Sequence, residues 1–165
     1  MSDRKRYSRI EIRKQAHSFS AAHFTIFNKT ERENLHGHNF QVECELTAPV
    51  GDDGLMFDYG IIKTALRDLC DDLDEQTILP EKSPYLGLEK DGVYTVALFN
   101  NERIPFLARD LTILPIANTT VEELSNYLLG ILLELPDFHR RGIVEMTVKV
   151  SSSPGQTGCS QWRQE

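Results

Sequence analysis

The chain has 165 residues and a formal charge of −7, with 40% hydrophobic and 26% charged residues, a length and composition that suit a single globular domain spanning residues 1–165. No apolar run approaches the ~18 residues of a membrane span, and no long basic run offers the clustered Lys and Arg that a phosphate backbone requires. Neither a membrane nor nucleic acid is therefore an expected partner, although a small anionic substrate could still be held by a few local cations.

In chain order, residues 1–6 (Met-Ser-Asp-Arg-Lys-Arg) read as a loose, charged end. No apolar stretch comes after them, so no signal peptide is expected and the expected address is the cytoplasm. From Tyr7 apolar residues alternate through Ile10, Ile12, Phe19 and Ala21, which predicts a first strand with an irregularity near Arg13 to Ala16. Asn28 to Asn34 reads as a polar loop. A clearer strand comes next, in which His36, His38, Phe40, Val42, Cys44 and Leu46 share one parity and Asn39, Gln41, Glu43 and Glu45 the other. The turn Pro49 to Gly54 ends it.

Asp58 is placed to cap a helix whose inner face is Ile62, Ala65, Leu66, Leu69 and Leu73. Pro80 and Pro84 interrupt the segment after that helix. The runs Val93 to Phe99 and Ile104 to Leu107 flank Asn100-Asn101-Glu102 and predict a hairpin. Thr119 and Thr120 each have a Glu three residues later, the start of a capping box, and the helix stripe is Val121, Leu124, Leu128, Ile131 and Leu135. A last strand alternates Val144, Met146, Val148 and Val150 against Glu145, Thr147 and Lys149. The pattern predicts an antiparallel α+β fold with both helices on one face of the sheet. Its strand edges need covering, and subunit association is one way to do that.

The cysteines, Cys44, Cys70 and Cys159, are odd in number and lack CxxC spacing, which argues against disulfides and Cys-rich zinc sites. All three read as buried or half-buried small apolar residues rather than nucleophiles. The sharpest feature is His36-Gly37-His38. Residues i and i+2 of a strand face the same way, about 6–7 Å apart at the backbone, so two imidazoles can converge on one ion. His23 lies on the preceding strand, at the parity of Phe19 and Ala21, and completes a three-histidine set if the strands pair. Three imidazoles at ~2.0–2.1 Å with an open fourth position describe a catalytic zinc site. Spacing alone leaves a second reading open, a turn with solvated histidines. It also leaves His17 as a rival ligand and His139 as a surface residue.

Phe19-Ser20-Ala21-Ala22-His23 and then Leu35-His36-Gly37-His38-Asn39-Phe40 resemble the zinc signature of the 6-pyruvoyl-tetrahydropterin synthase family, which includes 6-carboxytetrahydropterin synthases. Further matches occur in order along the chain. Asp53-Gly54-Leu55-Met56-Phe57-Asp58 resembles the family's turn into its first helix, and Leu73-Asp74-Glu75 stands where the family has Leu-Asp-His. Thr119-Thr120-Val121-Glu122 is similar to a Thr-Thr-x-Glu stretch, and Ser152-Ser153-Pro154-Gly155-Gln156 to a C-terminal E-x-P-x-Q.

The resemblance implies the tunnelling fold (T-fold), in which subunits join their sheets into a barrel as a trimer or hexamer with active sites between subunits. It implies Zn2+ on His23, His36 and His38, and 7,8-dihydroneopterin triphosphate as the pterin substrate of a lyase. The expected substrate contacts are Thr119, Thr120, Glu122 and Ser152. The expected catalytic residues are Glu33, Asp74 and Glu75.

Departures from the family pattern refine this expectation. Where most members have a catalytic cysteine the chain has Arg32, with Glu33 beside it. This resembles the branch in which glutamate replaces cysteine and the side chain is cleaved to leave 6-hydroxymethyl-dihydropterin for folate synthesis. A carboxylate beside zinc suits a general base if partial burial brings its pKa toward neutrality. Glu75 replaces the family histidine. Ser152 replaces the glutamate that clamps the pterin, which leaves Glu122 or Glu145 as other carboxylates for that role. These departures also suit a relative with an altered substrate, or a copy that keeps the metal without catalysis.

Overall fold

A computed structural model describes residues 5–165. The loose end expected at residues 1–6 lies outside the described residues as far as Arg4, whereas Arg6 already pairs with Val50. The fold is organised around one long strand, β3 (His36–Val50), whose alternating residues Phe40, Val42, Cys44, Leu46 and Ala48 are all buried. One edge of β3 is shared by two strands in line, β1 (Arg6–Ile12) on its C-terminal half and β2 (Ser18–His23) on its N-terminal half. The break between them is the irregularity expected near Arg13 to Ala16, and there Val42 N donates to the His17 carbonyl. The helix α1 (Gly60–Leu73) leads into β4 (Gln76–Pro80). The strands β5 (Gly87–Asp91), β6 (Tyr94–Phe99) and β7 (Glu102–Leu107) form a separate three-stranded sheet. After them come β8 (Leu111–Leu114), α2 (Val121–Leu133), β9 (Glu145–Ser153) and β10 (Gln156–Arg163).

The main sheet runs β10-β9-β3-β2-β4-β8, with β1 also on β3. It is mixed rather than wholly antiparallel, because β4 pairs parallel with both β2 and β8. Parallel neighbours require a crossover, and the β5–β7 sheet supplies the one between β4 and β8. Both helices lie on one face, as expected: α2 packs on β9 and β10, and α1 on β2. Between helices and sheet lies a core of Ile62, Leu66, Leu73, Leu124, Leu128, Leu132, Met146, Val148 and Val150 with the buried side of β3. A second cluster under the small sheet joins Phe24, Ile26, Leu79, Leu86, Ala97 and Phe99. The opposite face of the main sheet is charged, with Glu45 bound by Arg9, Arg13 and Lys149.

Local chemistry accounts for the element ends. Asp58 acts one residue earlier than expected. The N-cap position of α1 is Tyr59, with no side-chain cap, and Asp58 Oδ1 accepts instead from Gly60 N at 2.8 Å. At α2, Thr120 is the N-cap and accepts from Glu123 N, but the Glu123 carboxylate reaches past the expected reciprocal bond to Ala117 N at 2.8 Å. The Asn100–Asn101 turn has φ of 45° and 66°, the left-handed pair that a two-residue hairpin loop requires. Of the cysteines, Cys44 and Cys70 are buried, and burial pushes both thiols up to about 12. Cys159 is exposed on β10, contrary to expectation, because that edge strand turns little of itself toward the core.

Candidate metal centre

The antiparallel register of β2 and β3 places His23 opposite His36 and Ala21 opposite His38. His36 and His38 continue the buried parity of β3 past Phe40, to the point where the core ends. One ligand nitrogen from each of the three rings lies within 4.8 Å of the others. Phe40 closes the inner side, its ring centroid 5.4 Å from that of His23 and 5.7 Å from that of His38.

Hydrogen bonds on the far side of two rings set their tautomers. His23 Nδ1 is 2.9 Å from the Thr119 carbonyl and His36 Nδ1 2.8 Å from the Asn34 carbonyl. A carbonyl only accepts, so each Nδ1 carries the hydrogen and each Nε2 presents a lone pair. His23 Nε2 is buried and has no hydrogen-bond partner among the described residues. His36 Nε2 and His38 Nε2 are 3.0 Å apart, close to the ~3.3 Å between two nitrogens bound tetrahedrally at ~2.05 Å to one ion. Burial holds the His23 pKa below its ordinary value against the Thr119 bond, and the neighbouring His36 and His38 lower it further. Neutral imidazoles with converging lone pairs fit a divalent ion. His17, the rival ligand, is buried outside this group beside α1, with its pKa also lowered by burial. His139 is exposed and stacks edge-on with Phe138 and Trp162.

Glu33 joins the histidines. Its Oε2 accepts from Thr25 N at 2.9 Å and lies 4.0 Å from His36 Nε2, and its own N–H donates to the Thr25 carbonyl. Partial burial pushes its pKa up, but the Thr25 bond and the nearby His36 and His23 outweigh burial and hold the carboxyl below its ordinary value. The expected rise toward neutrality is therefore not what this surrounding produces, and the carboxylate is the favoured form.

Asp74 and Glu75 stand where α1 hands over to β4. Asp74 Oδ1 accepts from Ser20 N at 2.6 Å, and Glu75, in the left-handed region at φ 57°, donates its N–H to the Ser20 carbonyl. Glu75 lines a cleft of about 460 Å³ with Ser20, Ala22, Gly37, Asn39, Thr77 and Asp110. The β2 and β3 residues among these alternate with His23, His36 and His38, so the cleft opens on the face of the sheet opposite to the imidazoles. Neither acid is hydrogen-bonded to Glu33 among the described residues.

The other expected contacts are dispersed. Thr119 is fully buried, and its hydroxyl donates to the Ile78 carbonyl, so its part is to hold the carbonyl that orients His23. Thr120 caps α2, Glu122 is exposed in the first turn, and Ser152 lies one residue beyond the last β9–β3 pair, Ser151 with Gln41. Glu145 is at the other end of β9, opposite Thr47 and bound by Arg163 and Arg9, far from any clamp near the histidines. Sequence reasoning missed Asn118. Its side chain accepts from Ile26 N at 3.0 Å and donates to Ile26 O at 2.7 Å, tying the Glu33 loop to the segment that orients His23.

A model of the 6-pyruvoyl tetrahydropterin synthase family matches residues 11–159. The chain belongs to this family. A putative 6-carboxy-5,6,7,8-tetrahydropterin synthase of Methanocaldococcus jannaschii is 28% identical over 143 residues, covering 86% of this chain and 87% of the relative. The crystal structure of the 6-pyruvoyl tetrahydropterin synthase of Plasmodium vivax superimposes with a TM-score of 0.90 at 32% identity, covering 96% of this chain and 99% of the other. A variant of that enzyme with glutamate changed to alanine, described as a catalytic residue mutant, matches with the same TM-score at 31% identity and the same coverage. The fold is thus the T-fold of the pterin synthases, and membership in this family makes the chain a pterin-synthase-type enzyme of the lyase class.

Proposed function

We propose that the chain is a zinc-dependent lyase that cleaves the side chain of 7,8-dihydroneopterin triphosphate to give 6-hydroxymethyl-dihydropterin, with Glu33 as its base. The observation that carries this reading is the anchored Glu33 carboxylate 4.0 Å from His36 Nε2, beside the position where the family has cysteine. A catalytic glutamate in the Plasmodium vivax relative supports the same role for Glu33. His23, His36 and His38 would hold the ion through Nε2. When bound, it would supply Lewis acidity that lowers the pKa of a substrate hydroxyl.

This chain's residues do the rest. Glu33 takes a proton from the substrate side chain at a carboxylate oxygen; its ionised form is ready because Thr25 N and the histidines stabilise it. Phe40 and the buried end of β2 keep water from the inner side of the rings. Asp74 and Glu75, at the junction of α1 and β4, are the proposed residues by which a proton is returned. Thr120, Glu122 and Ser152 are the proposed pterin contacts, and Thr119, expected among them, acts from behind by orienting His23.

The test is to incubate zinc-loaded protein with 7,8-dihydroneopterin triphosphate and resolve the pterins by chromatography. The expected result is a 6-hydroxymethyl product that falls by at least ~100-fold in Glu33→Gln. Unchanged substrate overturns the reading. A 6-pyruvoyl or 6-carboxy product would keep the pterin chemistry and assign the chain to another branch, as the name of the archaeal relative suggests.

The outer edges of β8 and β10, unpaired among the described residues, support assembly into a trimer or hexamer.

A further inference from the structure

Arg32 occupies the place of the family's cysteine, and its side chain is only 17% exposed despite carrying five N–H donors. Its guanidinium carbon lies 4.9 Å from the centre of the Phe24 ring and 5.6 Å from that of Phe99. Both rings are buried. Nη1 donates to the Glu33 carbonyl at 2.8 Å, and Nη2 donates to Glu102 Oε2 at 2.7 Å. Phe24 belongs to the segment after β2, whereas Phe99 and Glu102 end β6 and begin β7. One planar cation therefore joins the three-stranded sheet to the loop that carries Glu33.

Glu33 is thereby held at three points. Its N–H donates to Thr25 O, its carboxylate accepts from Thr25 N, and its carbonyl accepts from Arg32. The first two bonds close a narrow loop that Ile26 and Arg32 bridge and that Asn118 holds on its Ile26 side. Arg32 holds the opposite, Glu33-bearing side, because its other end is anchored on Glu102 and between two rings. A guanidinium fork reaches two acceptors in fixed geometry while stacking on aromatic faces, which an ammonium does not. A guanidinium does not give up a proton in proteins, so the part open to this side chain is to hold its neighbours in place.

We infer that Arg32 is a positioning residue: it locks the β6–β7 hairpin to the Glu33 loop and fixes the Glu33 carboxylate beside the histidines. This rests on the role proposed for Glu33, since a displacement of about 1 Å in a reacting group is enough to cost on the order of a hundredfold in rate. It also assigns the β5–β7 sheet a part in the site.

The experiment compares zinc-loaded, full-length wild type, Arg32→Gln, Arg32→Lys, Glu102→Gln and Glu33→Gln by residue-resolved amide hydrogen exchange, zinc content, and kcat and KM on 7,8-dihydroneopterin triphosphate. In Arg32→Gln the Thr25 amide, which donates to the Glu33 carboxylate, is expected to exchange at least about tenfold faster, approaching its rate in Glu33→Gln. Amides of Cys44 and Val148 in the β3–β9 core and the zinc content are expected to stay at wild-type values. Turnover should fall by about 10–100-fold with KM within about threefold. Arg32→Lys, which keeps charge without the fork, and Glu102→Gln should fall between. Wild-type protection of Thr25 in Arg32→Gln overturns the inference, as does faster exchange spread equally over the core. If the wild type proves inert on this substrate, the proposed reaction fails, while the exchange data still decide the role of Arg32.

Discussion

His23 shows how one side chain serves both fold and site. Its Nδ1 is committed to the Thr119 carbonyl, so its tautomer is decided by a backbone group 96 residues away, and Nε2 is left without a partner in the core. His36→Ala is expected to purify with far less than stoichiometric zinc by elemental analysis, with a circular dichroism spectrum close to wild type. Chelation of the wild type should remove turnover and lower the thermal midpoint, and added Zn2+ should restore both, since a ligand that binds only the folded chain stabilises it. His17 permits a pH prediction. Burial, countered by a hydrogen bond to the Lys63 backbone, holds its pKa below 6.5 in the fold, and Lys14, Arg67 and Lys63 lower it further. The folded chain thus resists a proton that the unfolded chain accepts. Stability from this residue is complete above about 6.5 and is lost as pH falls from there toward the folded pKa. Urea midpoints should drop between pH 7.5 and 5.5, and by less in His17→Gln; an equal drop in both would exclude His17 as the source.

Among the elements, α2 depends on β10 more closely than the sequence suggests. A Cβ on Gly158 would lie 2.4 Å from the carbonyl carbon and oxygen of Val121, at the start of α2. Backbone rather than a flexible side chain is in the way, so Gly158→Ala is expected to cost at least about 1–3 kcal/mol in urea unfolding. Ser125 Oγ and Ser160 Oγ, 2.8 Å apart, join the same two elements. Asn118→Ala would leave the N–H and C=O of Ile26 without their partners, a loss of about 1–3 kcal/mol. That variant should lose activity beyond what its stability explains, because the same side chain ties the Glu33 loop to Thr119. Strand β10 escaped sequence reading because Gln156–Arg163 is polar and buries little besides Gly158. Strand β4 escaped for the opposite reason. Ile78, Leu79 and Pro80 are all buried, so no alternation marks them, and the proline reads as a breaker although it only ends the strand.

For the whole molecule, a sheet with helices on one face, ion pairs on the other and open edges at β8 and β10 suits a subunit of a closed barrel. Sedimentation velocity is expected to report a mass three or six times that of the chain; a monomer at micromolar concentration would count against assembly. The sequence alone determined the two helices, the alternation of β3 and β9, the Asn100–Asn101 hairpin and the histidine pair on one parity. Each rests on a local period or a local backbone preference. It also marked Glu33 through its place before His36. Only the tertiary structure decided that His23 and not His17 meets that pair, because this depends on the β2–β3 register. It alone decided that the surroundings of Glu33 hold its carboxyl below its ordinary pKa, that Asn118 and Arg32 brace its loop, and that β4 runs parallel to β2 and β8. Those outcomes arise from contacts between segments distant in the chain, whose geometry no local pattern encodes.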